Sequence, residues 1–89
     1  MEILREIEDF SANIYFEMPQ ELNSDYVQIC EHITTFFEEN YLNNEDVINQ
    51  SKVLLEHLFN VMQTNDYIKM AYALYYTVKP IFDDINCGV

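Results

Sequence analysis

The chain has 89 residues, of which 49% are hydrophobic, and its 16 Asp and Glu face four Lys and Arg, so the formal net charge is −12. This length predicts one helical domain over residues 1–89, and the apolar content suffices for a core without metal or disulfide cross-links. The charge excludes binding to nucleic acid and to anionic lipid, because both need a basic surface. It favours a positively charged protein partner, although solubility alone would also explain it.

The first residues and the cysteines indicate a cytoplasmic protein. The start Met1-Glu2-Ile3-Leu4-Arg5 has neither the basic residues nor the apolar stretch of a signal peptide, and no apolar run approaches the roughly 18 residues of a membrane span. Cys30 and Cys87 are too few and too distant for a disulfide framework, so we expect free thiols.

The first predicted helix runs from about Glu2 to Glu17, and Pro19 then disfavours a helical conformation at Met18. Hydrophobic residues recur at the helical period along it. Its apolar stripe consists of Ile3, Ile7, Phe10 and Ile14.

The second predicted helix begins either at Pro19, which suits a first helical position, or after Ser24 as its N-cap. It continues to the turn at residues 40–44. Its apolar arc consists of Leu22, Tyr26, Ile29, Cys30, Ile33, Phe36 and Phe37.

The third predicted helix follows an N-cap at Asn43 or Asn44 and runs to about Gln63. Glu45 and Asp46 in its first turn suit the positive end of the helix dipole. Its predicted buried face consists of Val47, Ile48, Ser51, Leu54, Leu55, Leu58, Phe59 and Met62.

The fourth predicted helix follows a cap at Thr64 or Asn65, and Pro80 kinks or ends it. Its inner stripe consists of Tyr67, Ile68, Ala71, Leu74, Tyr75 and Val78. We expect Ile81, Phe82 and Ile85 to pack as a short tail before residues 87–89. Because short connections force neighbouring helices to alternate in direction, the predicted fold is all-α, an antiparallel up-down four-helix bundle.

Residue patterns for catalysis or metal binding are weak in this chain. His32 and His57 each follow a Glu directly, whereas a di-iron bundle places Glu and His three residues apart on one face. Cys30 lies within an apolar arc and is expected to behave as a small hydrophobe. We therefore predict no enzymatic activity, no metal and no cofactor.

Two surface features predict protein binding instead. Carboxylates are spaced along the polar sides of the first three helices, and Glu2, Glu6 and Asp9 share one face. Tyrosines and a phenylalanine are left over after the core stripes are assigned, although a different packing would make these rings core. The predicted partner-binding residues are Glu2, Glu6, Asp9, Phe16, Glu31, Glu38, Glu39, Glu45, Asp46, Glu56, Tyr72 and Tyr76.

Two short segments resemble a known family. Leu54-Leu55-Glu56-His57 is similar to the corresponding helix of colicin DNase immunity proteins, and Tyr75-Tyr76 resembles their tyrosine pair. The family's Asp-Leu-Ile-Tyr-Tyr-Pro segment and short Pro/Gly turn are absent. The resemblance implies an acidic helical protein that neutralises a bacterial nuclease toxin through Glu56 and the tyrosine pair. The helical projection, in contrast, places Tyr75 in the core.

The sequence supports three alternative hypotheses about function. The leading hypothesis is an immunity or antitoxin protein that binds and inhibits a basic nuclease toxin. The second is a phage-encoded nucleic-acid mimic that occupies a host defence or repair protein. The third is a structural or regulatory helical module that pairs with another helix or forms a homodimer.

Overall fold

A computed structural model describes residues 2–87, and the side chains of Asn86 and Cys87 are outside this description. The predictions for Met1, for Gly88 and Val89 and for the Cys87 thiol therefore lie outside the described residues. Within residues 2–87 the fold is all-helical, as predicted, with four helical rods and no strand. The first three rods are α1 (Glu2–Asn13), α2 (Pro19–Tyr41) and α3 (Glu45–Met62). The fourth rod comprises α4 (Tyr67–Tyr72), a π-helical turn (Ala73–Val78) and α5 (Lys79–Cys87).

Helix α1 is shorter than predicted, because it ends at Asn13 rather than near Glu17. The backbone N–H groups of Phe16 and Glu17 both donate to the Asn13 carbonyl, 2.9 Å away, and this turn closes the helix. Ile3, Ile7 and Phe10 are buried as expected, while Ile14 packs against the core from within the turn.

Helix α2 begins at Pro19, the first of the two predicted starts. Met18 has the extended backbone that a residue before proline prefers, and proline fits the first helical position because no intrahelical partner exists there for an N–H. Six of the seven predicted apolar residues are fully buried, and Phe36 is half-buried. The periodicity therefore placed this helix correctly around its axis.

Helix α3 follows Asn44, whose side chain accepts a hydrogen bond from the Val47 N–H at 3.3 Å, so the second predicted cap is confirmed. Only Ser51 and Leu58 on this helix are fully buried. Phe59 was predicted to be buried but is 40% exposed. The apolar arc of α3 is too broad for its two neighbours to cover, so residues at the edges of the arc face outward.

The fourth rod begins one residue later than predicted. Its N-cap is Asp66, which accepts hydrogen bonds from the N–H groups of Ile68 and Lys69, each at 3.1 Å. The predicted caps fail because Asn65 has a left-handed backbone with φ of 56° and the Thr64 hydroxyl donates to the Val61 carbonyl. Both residues thus belong to the end of α3.

Pro80 neither ends the rod nor begins a separate tail. The Lys79 N–H donates to the Leu74 carbonyl, five residues earlier, so the chain makes a wide π turn directly before Pro80. A proline in a regular α-helix collides with the carbonyl four residues earlier, and the wider turn gives the ring space. Helix then continues to Cys87, and Phe82 is completely buried.

The core is one cluster to which all four rods contribute. Helix α2 packs against α1 and α3, and the fourth rod packs against the same two helices. Aromatic rings fill much of the centre: Phe10 lies 5.8 Å from Tyr26, and Phe82 lies 5.8 Å from Phe37, between ring centroids. Among the described residues, no helix is both long enough and apolar enough to cross a membrane.

Candidate functional site: an anionic groove and a tyrosine cluster

The carboxylates are distributed unequally between the two halves of the chain. Residues 2–41, which contain α1 and α2, carry ten Asp and Glu and a single Arg, for a formal charge of −9. Residues 42–87 carry six Asp and Glu and three Lys, for a formal charge of −3. Helix α2 contains no Lys or Arg at all. The negative potential is therefore concentrated on the side of the molecule that α1 and α2 form.

A groove between α1 and α2 collects part of this charge. It consists of two adjoining cavities, of about 280 and 220 Å³, that share Glu6. We call this surface the anionic groove and define it by its titratable residues, which are Glu2, Glu6, Asp9, Asp25, His32 and Glu39. Four of the predicted partner-binding carboxylates thus line one continuous surface.

His32 lies within the anionic groove and is paired with Glu6. Its Nδ1 atom is 2.8 Å from the Glu6 carboxylate, and its side chain is 38% exposed. The hydrogen bond that His32 donates to the Glu6 carboxylate, followed by the charges of Glu6, Glu2 and Glu31, raises the pKa of His32, while partial burial opposes the rise. The groove therefore holds an imidazole that is protonated more readily than a free histidine.

Asp25 was not among the predicted binding residues, although a signal for it exists in the sequence. Asp25, His32 and Glu39 are seven residues apart, a spacing that returns to the same helix face after two turns. Glu17 lies next to Asp25, and its pKa is raised. The causes are a hydrogen bond with the Asp25 side chain, partial burial and the negative charges of Asp25 and Glu21. Carboxylates are thus crowded at the end of the groove nearest the α1–α2 turn.

The other predicted carboxylates lie outside the groove. Glu31 lines an adjacent cavity that also includes His32, and Glu38 is on the same face of α2, two turns further on. Glu45 and Asp46 are exposed in the first turn of α3, and Glu56 is exposed in the middle of that helix. The structure therefore groups the α1 and α2 carboxylates and leaves those of α3 apart.

Few of these charges are neutralised within the fold. Within residues 2–87, the ion pairs are His32 with Glu6 and Lys79 with Asp83, the latter with Nζ 3.0 Å from a carboxylate oxygen. Apart from Glu6, the carboxylates of the anionic groove make no ion pair in the described part of the chain. A coherent negative surface is consequently presented to solvent.

A tyrosine cluster lies on the opposite side of α1, where α1 meets the fourth rod. It consists of Tyr15, Tyr72, Tyr75 and Tyr76. Tyr72 and Tyr76 were predicted to face outward and are 58% and 65% exposed. Their rings are stacked, with centroids 5.1 Å apart and planes inclined by 22°. Tyr15, which is 77% exposed, was not among the predicted binding residues.

Tyr75 was predicted to be buried, and this prediction is wrong. Its side chain is 41% exposed and packs edge-on against Tyr76, with ring centroids 5.3 Å apart. The π turn widens the helix at this position, so a projection at 100° per residue places Tyr75 incorrectly. Ile68 was also assigned to the core but is exposed, because Met70 and Ala73 form the core face instead.

The turn between α1 and α2 adds further exposed apolar surface. Phe16, a predicted binding residue, is 85% exposed, and Met18 is exposed beside it. Large apolar side chains in an exposed turn are a common feature of binding surfaces. Because the turn connects α1 to α2, it lies at one end of both the groove and the tyrosine cluster.

Cys30 and His57 lie in contrasting surroundings, the first buried and the second exposed. Cys30 is buried, as expected of a small hydrophobe, and burial raises the pKa of its thiol to about 12. Among the residues that the structure describes, no group of three His, Cys, Asp or Glu side chains is positioned to hold a metal ion. His57 is exposed on α3.

Comparisons with known proteins give no relative. No family model matches the sequence, and no curated protein and no solved structure matches the chain.

Proposed function

We propose that this protein is an acidic immunity or antitoxin-type inhibitor, acting in the cytoplasm of a bacterium, that binds a basic nuclease toxin. The observation that carries the proposal is the unneutralised anionic groove on α1 and α2, beside exposed aromatic residues. A nuclease needs a basic surface for its phosphate substrate, and that surface is complementary to the groove. Since α1 is a wall of both the groove and the tyrosine cluster, one partner centred on α1 can contact both.

We infer that the four rods alternate in direction, as an up-down bundle. Two contacts support this arrangement for α1, α2 and α3. Glu6 meets His32 while Phe10 meets Tyr26, so positions advance along α1 as they recede along α2. The Tyr26 hydroxyl, near the start of α2, donates to the carbonyl of Leu58 near the end of α3, at 2.6 Å.

Binding would proceed in two steps on this surface. The charge of residues 2–41 attracts a basic partner and accelerates encounter, with an effect that weakens as salt rises. Carboxylates then form charge-assisted hydrogen bonds to Lys and Arg, and the exposed rings of Phe16, Tyr72 and Tyr76 are buried. The partner's substrate site, or a surface next to it, is thereby covered.

The test is inhibition of basic bacteriocin and contact-dependent-inhibition nuclease domains in vitro. The protein is titrated into each domain, and residual nuclease activity and Kd are measured at several salt concentrations. We expect stoichiometric inhibition of a cognate domain and a Kd that rises steeply with salt. A Kd that does not depend on salt would contradict the electrostatic basis of the proposal.

Two charge-matched triple variants locate the surface. One carries Glu2→Gln, Asp9→Asn and Glu39→Gln in the anionic groove, and its control carries Glu45→Gln, Asp46→Asn and Glu56→Gln on α3. Both remove three negative charges, so they differ only in position. We expect at least a ten-fold weaker complex for the groove variant and a small change for the control. Equal losses would mean that overall charge, and not the groove, determines binding.

Nucleic-acid mimicry is a second candidate, favoured by the length over which the charge extends. Helix α2 has 23 residues, which corresponds to about 35 Å, and carboxylates occur from its first turn to its last. Such a mimic would occupy a defence or repair protein. Its affinity would fall gradually with each removed carboxylate, whereas a toxin inhibitor would depend on a few dominant residues.

A further inference from the structure

A second concave surface lies between α1 and the fourth rod, separate from the anionic groove. It is a cavity of about 310 Å³, lined by the four residues of the tyrosine cluster together with Ser11, Ile14, Ile68 and Ala71. We call it the tyrosine groove. It shares no lining residue with the anionic groove, so the two surfaces can be altered independently.

The rings of the tyrosine groove are packed together and partly exposed to an incoming group. Tyr72 and Tyr76 stack on each other and remain more than half exposed, and Tyr75 supports Tyr76 from the side. The face of an aromatic ring carries negative electrostatic potential, so it attracts cations within about 6 Å of its centroid. Stacked rings thus form a preformed platform for a cation.

One cation of the chain already contacts a neighbouring ring of the tyrosine cluster. The Nζ atom of Lys79 lies 5.4 Å from the centroid of the Tyr75 ring. Its charge is balanced by Asp83, 3.0 Å away, so it does not repel a second cation strongly. Lys69, which is also on this rod, is not part of the groove lining. Tyr72 and Tyr76, which do not contact Lys79, remain more than half exposed.

Ser11 supplies a polar group on the α1 side of the groove. Its hydroxyl oxygen is buried, and no hydrogen-bond partner is described for it within residues 2–87. A buried hydroxyl normally has a partner, because leaving it unpaired costs free energy. A donor that enters between α1 and the tyrosine rings would satisfy it.

We propose that the tyrosine groove binds an arginine side chain of the basic partner. This inference rests on the proposed function, because it assumes a cationic protein partner. The guanidinium group is planar and weakly hydrated, so it stacks on tyrosine rings. Its N–H groups donate to the Ser11 hydroxyl once that side chain turns from its buried position towards the groove. A lysine ammonium holds its water more strongly and cannot stack. The groove therefore distinguishes arginine from lysine, whereas the anionic groove attracts both.

The test compares two capped octapeptides in which glycine alternates with arginine or with lysine. Each peptide is titrated into the full chain at low salt, and affinity is measured by NMR through the signals of residues 11, 15, 72, 75 and 76. We expect the arginine peptide to bind about two- to five-fold more tightly, as a single exposed cation–π contact allows. Tyr72→Leu and Tyr76→Leu should each reduce this ratio towards one.

Two controls keep the result specific. Phe59→Leu removes an exposed ring on α3, outside the groove, and should leave the arginine-to-lysine ratio unchanged. The groove triple variant with Glu2→Gln, Asp9→Asn and Glu39→Gln should weaken both peptides equally and preserve the ratio. Tyr72 and Tyr76 are exposed, so the leucine variants should melt close to the parent temperature.

Four outcomes would overturn the inference. Equal affinity for the two peptides, or a preference that survives both leucine variants, would overturn it while leaving the proposed function intact. Signals that change with protein concentration and not with peptide would show that a second copy fills the groove. Failure of both peptides to bind would also overturn the inference, whereas the proposed function is rejected only if no basic nuclease domain is inhibited.

Discussion

Tyr26 places a polar hydroxyl at the centre of the core. The free-energy cost of burying this hydroxyl depends on whether it has a hydrogen-bond partner. The side chain is completely buried, and its hydroxyl donates to the Leu58 carbonyl at 2.6 Å. Burial is also the main cause that raises the pKa of Tyr26. The hydrogen bond joins α2 to α3, so it fixes the relative position of two helices that otherwise touch through apolar groups.

Replacing Tyr26 with Phe should therefore destabilise the fold without changing its packing. The ring stays against Phe10 while the hydrogen bond is lost, and we expect the free energy of unfolding to fall by about 1 kcal/mol. Urea unfolding followed by circular dichroism measures the change. Tyr41→Phe, at a half-buried ring with no described hydrogen bond, is the control. An equal decrease in the free energy of unfolding in both variants would show that the hydrogen bond to Leu58 has no specific effect on stability.

His32 gives the fold a pH dependence whose direction follows from its raised pKa. A group with a higher pKa in the folded state stabilises the fold below its unfolded pKa, near 6.5, and loses this contribution as pH rises through the folded value. The His32→Gln variant should thus be less stable than the parent at pH 5.5 and nearly equal to it at pH 9. Because the pair is partly exposed, we expect a difference below about 1 kcal/mol.

Unfolding curves of the parent and His32→Gln at these two pH values provide the measurement. His57→Gln is a matched control, because His57 is exposed on α3 and has no described ion pair within residues 2–87. A His32→Gln deficit that is larger at pH 9 than at pH 5.5 would contradict the Glu6–His32 pairing.

Among the elements, regular α-helices were predictable and the irregular rod was not. Hydrophobic periodicity located all four rods and correctly oriented α2, because its residues follow 3.6 per turn throughout. It misassigned Tyr75 on the fourth rod, where a wide turn breaks that period. It also misassigned Ile68 and Phe59, which lie in the regular helices α4 and α3. Sequence spacing also grouped Glu2, Glu6 and Asp9 on one face. Sequence spacing could not predict the anionic groove. The groove forms because α1 packs beside the face of α2 that carries Asp25 and Glu39, and this packing is a tertiary contact.

The π turn should behave as one extra residue in an otherwise α-helical rod. Both deletions are made in a Pro80→Ala background, because the proline ring needs the wide turn. In that background, deleting the exposed Thr77 would convert the wide turn into an ordinary one and leave Phe82 pointing to the core. Deleting the exposed Lys52 from α3 would instead rotate the residues on one side of the deletion by about 100° and move Leu58 out of the core. Each large apolar side chain lost from the core costs roughly 2–5 kcal/mol.

Thermal unfolding of the two deletion variants, followed by circular dichroism, distinguishes them. We expect the Thr77 deletion to retain a cooperative transition and the Lys52 deletion to lose it. If the two deletions lowered thermal stability equally, the π turn would not behave as one extra residue inserted into a regular α-helix. Contact between the rod and α1 would then require the wide geometry itself.

At the scale of the whole molecule, a formal charge of −12 is held within 89 residues. Most carboxylates of residues 2–41 lack a cationic partner, so they repel one another across α1 and α2. Such repulsion lowers stability and is reduced by salt, whose screening length falls from about 30 Å at 0.01 M to about 8 Å at 0.15 M. The charge that attracts a partner therefore opposes the folded state.

The midpoint of thermal unfolding should accordingly rise by several degrees as sodium chloride increases from 10 to 150 mM, and circular dichroism measures it. The triple variant Glu2→Gln, Asp9→Asn and Glu39→Gln should begin with a higher midpoint and respond less to salt. A midpoint that falls with salt would mean that attractive ion pairs outweigh repulsion.

The absence of lysine from residues 2–41 also determines how the molecule can be attached to a surface. All three lysines lie at positions 52, 69 and 79, on α3 and the fourth rod. Reagents that couple to side-chain amines will therefore tether the chain by its less acidic side. A sensor chip or resin prepared in this way displays the anionic groove towards the bulk solution, whereas coupling at Lys79, whose Nζ lies 5.4 Å from the Tyr75 ring, crowds the tyrosine groove.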